Sequence, residues 1–313
     1  MTQTYYSHGK LLLTGEYLVM DGLNALAVPT KFGQNLTVTA SKSGEIKWEA
    51  YAIDGSLWAA FSIPLAALAI KDSNKPENPR AQIIQILGAA QTLNPEFLHE
   101  SQGAVVKTQL EFPENWGLGS SSTLLHNMAQ WAQVNPYALL EKSMGGSGYD
   151  IACGHAQGPI TYKRDLAGFT PEIQTVSIPQ SIRKQMLFVH LNKKQNSRAG
   201  IAHYQKQKTA QTALWLETLE KTKIACTDML QAKDIGPFMS AMQCHEATLA
   251  KFLNLTPVGT LYFSDFKGQL KSLGAWGGDF VMAVSKDMSE SKMKSYFAAK
   301  GFNTALSYHE MVL

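Results

Sequence analysis

Pro113-Glu114-Asn115-Trp116-Gly117-Leu118-Gly119-Ser120-Ser121-Ser122 stands between two segments of different periodicity. Upstream, Val105-Val106-Lys107-Thr108-Gln109-Leu110-Glu111-Phe112 reads as a strand; downstream, Thr123 to Val134 reads as a helix. Two glycines two residues apart let the backbone turn tightly and approach a ligand with no Cβ in the way. The serines fall where the helix begins, with free backbone N–H groups and the positive end of the helix dipole, an arrangement suited to an anion. Their hydroxyls can add hydrogen bonds or one ligand to a magnesium ion. The same residues also fit a strand, a glycine turn and a serine N-cap with no ligand.

Two further glycine strings flank this one. Near the start, Gly9-Lys10-Leu11-Leu12-Leu13-Thr14-Gly15-Glu16-Tyr17 places Lys10 and Glu16 inside otherwise apolar sequence. A buried charge must be paired or functional, so these two are a simple ion pair, two solvated edge positions, or part of a site. Later, Gly145-Gly146-Ser147-Gly148-Tyr149-Asp150-Ile151-Ala152 sets one carboxylate among three glycines at a loop-to-helix junction, where Asp150 is a reactive group or a helix N-cap. Gly274-Ala275-Trp276-Gly277-Gly278-Asp279 is another glycine turn.

Between the strings, Asn35 to Ala40 alternates like a half-buried strand, Ile46 to Ile53 returns it, and Asp54-Gly55 turns into Ser56 to Ile63. Lys71 to Arg80 is a polar loop bearing prolines, and a helix starts near Ala81. Ile160 to Arg164 and Ile173 to Ile178 are short strands. The fold class is α+β, a mostly antiparallel sheet with helices on one side. The chain turns polar near residue 184, which divides it into 1–184 and 185–313. In the second part, Met186 to Leu191 reads as a buried strand. Asn192 to Arg198 is a basic loop opening one long helical stretch to about Ala232, and a second helix starts at Asp234 and ends near Leu253. Phe263 to Leu273 has helical spacing, followed by a strand at Phe280 to Val284, a helix at Ser289 to Lys300 and a closing strand at Thr304 to His309. That order predicts a small α+β sandwich.

Composition narrows the function. Charged residues make up 17% and hydrophobic ones 45%, the balance of a globular enzyme and not of a disordered chain. A net charge of +3 gives no support to nucleic-acid or membrane binding. Cys153, Cys226 and Cys244 have no CxxC spacing and read as reduced thiols, which points to a cytoplasmic protein. Neither a signal h-region nor a bilayer-spanning run is expected, and no G-x-x-x-x-G-K-[ST] string occurs.

Taken together, the glycine strings resemble those of the GHMP kinases, the family of galactokinase, homoserine kinase, mevalonate kinase and phosphomevalonate kinase. Gly9 to Tyr17 is similar to the family's opening GK…GE motif, with a GEY ending like that of phosphomevalonate kinases. Pro113 to Ser122 is similar to its P-x-x-x-G-L-G-S-S-x phosphate loop, and Gly274 to Asp279 to its closing glycine turn. Gly146 to Ala152 resembles the G-S-G-x-D-x-A string, and Gly148 to Ala152 a bacterial branch named for the letters GYDIA. The resemblance spans residues 9 to 279.

What it implies is a two-domain fold, the first domain like the second domain of ribosomal protein S5 and the second ferredoxin-like. It further implies ATP and Mg²⁺, a small-molecule acceptor (mevalonate or phosphomevalonate), and a monomer or homodimer. Lys10 and Asp150 would be catalytic. Gly117, Leu118, Gly119, Ser120, Ser121 and Ser122 would hold the nucleotide, with Ser121 and Glu141 on the metal. Glu16, Ser147, Gly148, Gly274, Ala275, Trp276, Gly277 and Gly278 would face the acceptor. Trp276 departs from the usual glycine and is expected to narrow the pocket, stack on a ligand or block the turn. Two rival readings follow the same motifs, a mevalonate diphosphate decarboxylase and a non-catalytic small-molecule sensor or scaffold.

Overall fold

The computed structural model describes residues 2–69, 76–99 and 102–313, so residues 71–75 of the polar loop expected from Lys71 to Arg80 lie outside the described residues. The first half holds strands β1 (Thr2–Leu12), β2 (Ala25–Ala40), β3 (Glu45–Tyr51) and β4 (Leu57–Pro64), then helix α1 (Pro79–Leu93). Strand β5 (Ala104–Leu110) leads into helices α2 (Ser120–Ala132), α3 (Pro136–Ser143) and α4 (Tyr149–Cys153), and strands β6 (Ile160–Lys163) and β7 (Glu172–Thr175) follow. They form one sheet in the order β4-β3-β5-β2-β6-β7, with β1 also on β2. Every pairing in it is antiparallel except β3 with β5.

Burial explains the long β2. Its first six residues are buried throughout, and only from Asn35 does it alternate as its sequence does. Leu36, Val38, Ile46, Trp48 and Val106 send their side chains under Ile83, Ile86, Leu87, Leu125, Met128 and Leu139, so α1, α2 and α3 cover one face. Asn78 and Asn135 cap α1 and α3 through their side chains, each with proline in the first turn.

After α5 (Gln180–Arg183), the second half contains β8 (Met186–His190), α6 (Ser197–Ala210), α7 (Thr212–Gln231), α8 (Ile235–Leu253), α9 (Val258–Tyr262), β9 (Gln269–Ser272), β10 (Phe280–Val284), α10 (Glu290–Ala299), β11 (Ala305–Ser307) and α11 (Tyr308–Met311). The strands make an antiparallel sheet in the order β11-β8-β10-β9. Both of its central strands are buried along their whole length. One face, through Phe188, Phe280 and Met282, shares a core with Leu11, Val28, Phe112 and Leu118 of the first half. The other face, through Leu187, Val189 and Val281, lies against Met293 and Phe297 of α10.

Three local expectations are corrected. Phe263 to Leu273 is not a helix: Gln269–Ser272 pairs with Val281–Val284, and a Cβ on Gly268 would run into the Val284 carbonyl. Phe263, Phe266 and Leu270 are spaced as in a helix, but they belong to the cluster under α10. The long helical stretch breaks at Gln211, so that α7 folds back and the Trp215 indole donates to the Tyr204 hydroxyl at 2.8 Å. The closing strand stops at Ser307, where Ser307 and Glu310 form a reciprocal capping box that starts α11.

Candidate functional site

A cleft of about 800 Å³ opens where β1, the β5–α2 turn, the loop before α4, the start of α6 and the Gly274–Asp279 turn come together. Its floor is built from the β1 bulge. At the irregularity between His8 and Lys10, the Lys10 backbone N–H donates to the Leu118 carbonyl at 3.0 Å, and the Lys10 ammonium donates to the Gly117 carbonyl at 2.8 Å. Strand β1 thereby holds the β5–α2 turn in place.

The turn itself is shaped by its two glycines. Gly117 has φ +66° and Gly119 φ +88°, both in the left-handed region. A Cβ on Gly117 would collide with the Asp279 carboxylate, and one on Gly119 would stand 2.6 Å from the Ser122 hydroxyl and 3.2 Å from Lys10 Cε. Between them Leu118 is fully buried and anchors the turn in the shared core. Helix α2 starts with no side-chain cap; its first internal bond runs from Thr123 N to the Gly119 carbonyl. The N–H groups of Ser120, Ser121 and Ser122 precede that bond and have no acceptor within the helix. Ser122 is buried and donates to the Gly119 carbonyl at 2.8 Å, whereas Ser121 is exposed to the cleft.

Asp150 faces the same cleft from the first turn of α4. Gly148 occupies the cap position, so Asp150 is not the N-cap; its Oδ1 accepts from the next N–H, of Ile151, at 3.0 Å. Burial raises the Asp150 carboxyl above its ordinary value, against the pull of Lys10, the Ile151 N–H and the Ser122 hydroxyl. Burial works to lower Lys10, but Tyr149, Asp150 and Asp279 outweigh it and leave the ammonium above the ordinary lysine value. Lys10 Nζ lies 5.7 Å from the Tyr149 ring centroid, within cation–π range. The Tyr149 hydroxyl is pushed up to about 12, chiefly by burial. Tyr149 and Asp279 also line the cleft, though sequence reasoning did not single them out. Both lie within the glycine strings, Tyr149 between Gly148 and Asp150 and Asp279 after Gly278.

Glu16 does not pair with Lys10. Its carboxylate takes the ammonium of Lys271 on β9, fully buried, and Lys271 also donates to the Ser272 carbonyl at 3.1 Å. His245 of α8 accepts the Gly15 N–H on Nε2 at 2.9 Å, which leaves its proton on Nδ1. Burial and the nearby Lys271 hold that imidazole neutral, well below its ordinary pKa, so its 3.4 Å approach to Glu16 is not an ion pair. Glu16 still lines the cleft, as do Ser147, Gly274 and Ala275.

Other expected residues lie elsewhere. Trp276 is buried with Tyr17, Leu18, Tyr204 and Phe252, and its indole does not line the cleft. Its backbone N–H donates to the Tyr17 hydroxyl at 3.1 Å and its carbonyl accepts from the Gln195 side chain at 2.9 Å. Thus the side chain neither narrows the pocket nor blocks the turn. Gly277 and Gly278 pack against Gln195, and Gly148 against the Tyr162 hydroxyl, behind the cleft wall. Glu141 is exposed and bridged to Arg164 at 3.4 Å, outside the cleft. Among the described residues no cluster of three His, Cys, Asp or Glu side chains is placed to hold a metal ion. The open N–H groups and the glycine cradle fit a phosphate chain, and Ser121 offers a magnesium ion one hard oxygen ligand.

No protein-family profile matches the chain, and no curated protein matches its sequence. Solved structures do match it in fold. Phosphomevalonate kinase of Streptococcus pneumoniae, solved with phosphomevalonate and AMPPNP, is 17% identical, with 97% of this chain and 99% of that one aligned at a TM-score of 0.71. Mevalonate kinase of Methanococcus jannaschii is 14% identical over 96% of this chain and 95% of its own, at 0.67. Galactokinase of Lactococcus lactis, solved with galactose, is 15% identical over 96% and 89%, also at 0.67. The chain has the two-domain GHMP kinase fold.

Proposed function

From that fold and this cleft, we propose that the protein is an ATP-dependent kinase of a small molecule, with mevalonate or phosphomevalonate as the acceptor. The observation that carries the reading is the convergence of Lys10, Asp150 and the free N–H groups of the Ser120–Ser122 turn on one cleft. Structural relatives that act on mevalonate and phosphomevalonate, together with the GEY and GSGYD strings, support the choice of acceptor.

The Ser120–Ser122 N–H groups bind the ATP phosphates, and the Gly117–Gly119 turn lets the backbone come close. Ser121 would help to hold Mg²⁺, which would neutralise phosphate charge. Asp150, raised by burial, is a better proton acceptor near neutrality than an ordinary aspartate, and it takes the proton of an acceptor hydroxyl. Lys10 stays protonated and stabilises the oxygen as it becomes anionic. Positioning by the doubly tied β1 bulge supplies the rest. With Trp276 in the core, the feature that favoured a non-catalytic sensor is removed.

The test is ADP release with mevalonate, phosphomevalonate and mevalonate diphosphate, with CO₂ followed in the same reaction. ADP without CO₂ is expected with mevalonate or phosphomevalonate. CO₂ released along with ADP from mevalonate diphosphate would identify a decarboxylase instead, and no acceptor-dependent ADP from any of the three would overturn the kinase reading.

A further inference from the structure

Among the described residues, one hydrogen bond joins the second half of the chain to the β5–α2 turn, residues 113–122. It comes from His190, the last residue of β8. The His190 Nε2 lies 3.0 Å from the Asn115 carbonyl, which can only accept, and its Nδ1 lies 3.3 Å from the Asn192 N–H, which can only donate. The imidazole is therefore neutral, with its proton on Nε2. It is 2% exposed, and the Phe280 and Trp116 rings stand 5.2 Å and 6.2 Å from it, centroid to centroid.

The two groups it touches belong to separate walls of the cleft. Asn115 lies at the entry to the turn, from which Glu114, Gly117 and Gly119 face the cleft. Asn192 begins the connection to α6, from which Gln195 and Ser197 face it. A turn with two glycines at positive φ has little stiffness of its own, so its place is set by what holds it from outside. Lys10 of the first half holds the Gly117 and Leu118 carbonyls. His190 holds the entry from the second half, and it is itself fixed. Its N–H donates to the Thr304 carbonyl at 2.9 Å, the Leu191 N–H to the Asp279 carbonyl at 2.8 Å, and the Asn192 side-chain amide to the Gly301 carbonyl at 3.0 Å. With both ring nitrogens engaged, the imidazole cannot follow a shift of the Asn115 carbonyl without disturbing the Asn192 bond.

We infer that His190 is a positioning residue for the nucleotide. From the second half it sets where the Ser120–Ser122 N–H groups meet the ATP phosphates, without touching the phosphates itself. This rests on the kinase reading and adds to it a residue that lies outside every glycine string.

The test compares the full chain with His190→Gln, His190→Asn and His190→Phe. A glutamine amide nitrogen falls near Nε2 and can still donate to Asn115, whereas an asparagine amide falls near Nδ1 and serves only Asn192. Phenylalanine keeps a ring between Trp116 and Phe280 and serves neither. Binding of AMPPNP without acceptor is measured calorimetrically, beside the melting temperature. The asparagine and phenylalanine variants are expected to bind it roughly 3–10-fold more weakly, the range of one net hydrogen bond, and the glutamine variant to keep most of the wild-type affinity. In isotope-labelled wild type, the His190 Nε2–H resonance should shift when AMPPNP is added. Unchanged affinity in the asparagine and phenylalanine variants would overturn the inference. So would a loss in all three variants that merely follows melting temperature, or a resonance indifferent to AMPPNP, which needs only the wild type. The expected order of variants with no ADP from any acceptor would sink the kinase reading and leave His190 in its role; no AMPPNP binding to wild type would overturn both.

Discussion

Asp150 separates a chemical role from a structural one, because its surroundings predict opposite behaviour for activity and stability. The cap of α4 is Gly148, and the Asp150 carboxyl gives the helix only a bond to its neighbour's N–H, which an asparagine oxygen can also accept. Asp150→Asn should therefore leave the melting temperature within a degree or two. Turnover on a mevalonate hydroxyl should fall ~10²–10⁴-fold, the range of a positioned base. With phosphomevalonate the attacking phosphate oxygen is already ionised, since its second pKa is ~6 by analogy with phosphorylated side chains, and the loss should be smaller. Unchanged kcat on every acceptor used by wild type would remove Asp150 from the chemistry. Trp276 gives the reverse pattern. Truncation to alanine should cost about 3–5 kcal/mol, as for a large aromatic removed from a packed core. In a variant keeping only this tryptophan, its fluorescence should not respond to nucleotide plus acceptor; a response would return it to the cleft. Its place was not legible in the sequence, since a tryptophan between glycines has no periodicity. The residues that bury it, Tyr17, Tyr204 and Phe252, come from three distant segments.

At the level of elements, what the sequence made plain was the set of turns where backbone geometry demands glycine, and the strands with clean alternation or continuous burial. The β5–α2 turn, β2 from Asn35 and the buried β8 stand where their residues indicated. The stretch from Phe263 to Leu273 misled because aromatic spacing fits a helix as well as a loop plus strand, and only the ladder with β10 decides. Ser307-Tyr308-His309-Glu310 carried a readable capping signature that a strand assignment passed over. Helix α6 opens onto the cleft, and its Asn196 cap is open to test. Asn196→Ala removes the acceptor for Arg198 N and Ala199 N. It should cost ~1 kcal/mol of stability and loosen the first turn. The expected kinetic result is a several-fold rise in KM for the acceptor with kcat nearly unchanged. A fall in kcat at constant KM would show that the start of α6 serves the reaction and not binding.

Across the whole molecule, the two sheets meet at a buried polar cluster as well as at the shared apolar core. Glu16 comes from the turn after β1, Lys271 and Ser272 from β9, and His245 and Glu246 from α8. Its composition explains why Glu16 was ambiguous in sequence: the cation it needs is 255 positions away, not at Lys10. Glu246 accepts from Ser272 N and, at 2.8 Å, from the Ser272 hydroxyl, and it is only 6% exposed. Burial raises its carboxyl from 4.5 to about 7, with Lys271 and Ser272 opposing and Glu16 adding to the rise. Burial and Lys271 hold the neighbouring His245 well below its ordinary value. The folded state thus binds a proton more tightly than the unfolded chain. Stability from Glu246 is greatest below the unfolded value and declines as pH rises from about 4.5 to about 7, by roughly 3 kcal/mol at most. Glu246→Gln keeps an oxygen for Ser272 and removes the ionisation. Relative to wild type, its melting temperature should climb by several degrees between pH 5 and pH 7.5, at ~2–4 °C per kcal/mol. Other buried carboxyls such as Asp150 titrate in both proteins and cancel in the difference. A difference that stays constant over this range would mean that Glu246 is ionised throughout, held by Lys271 as part of a charge-balanced joint between the sheets.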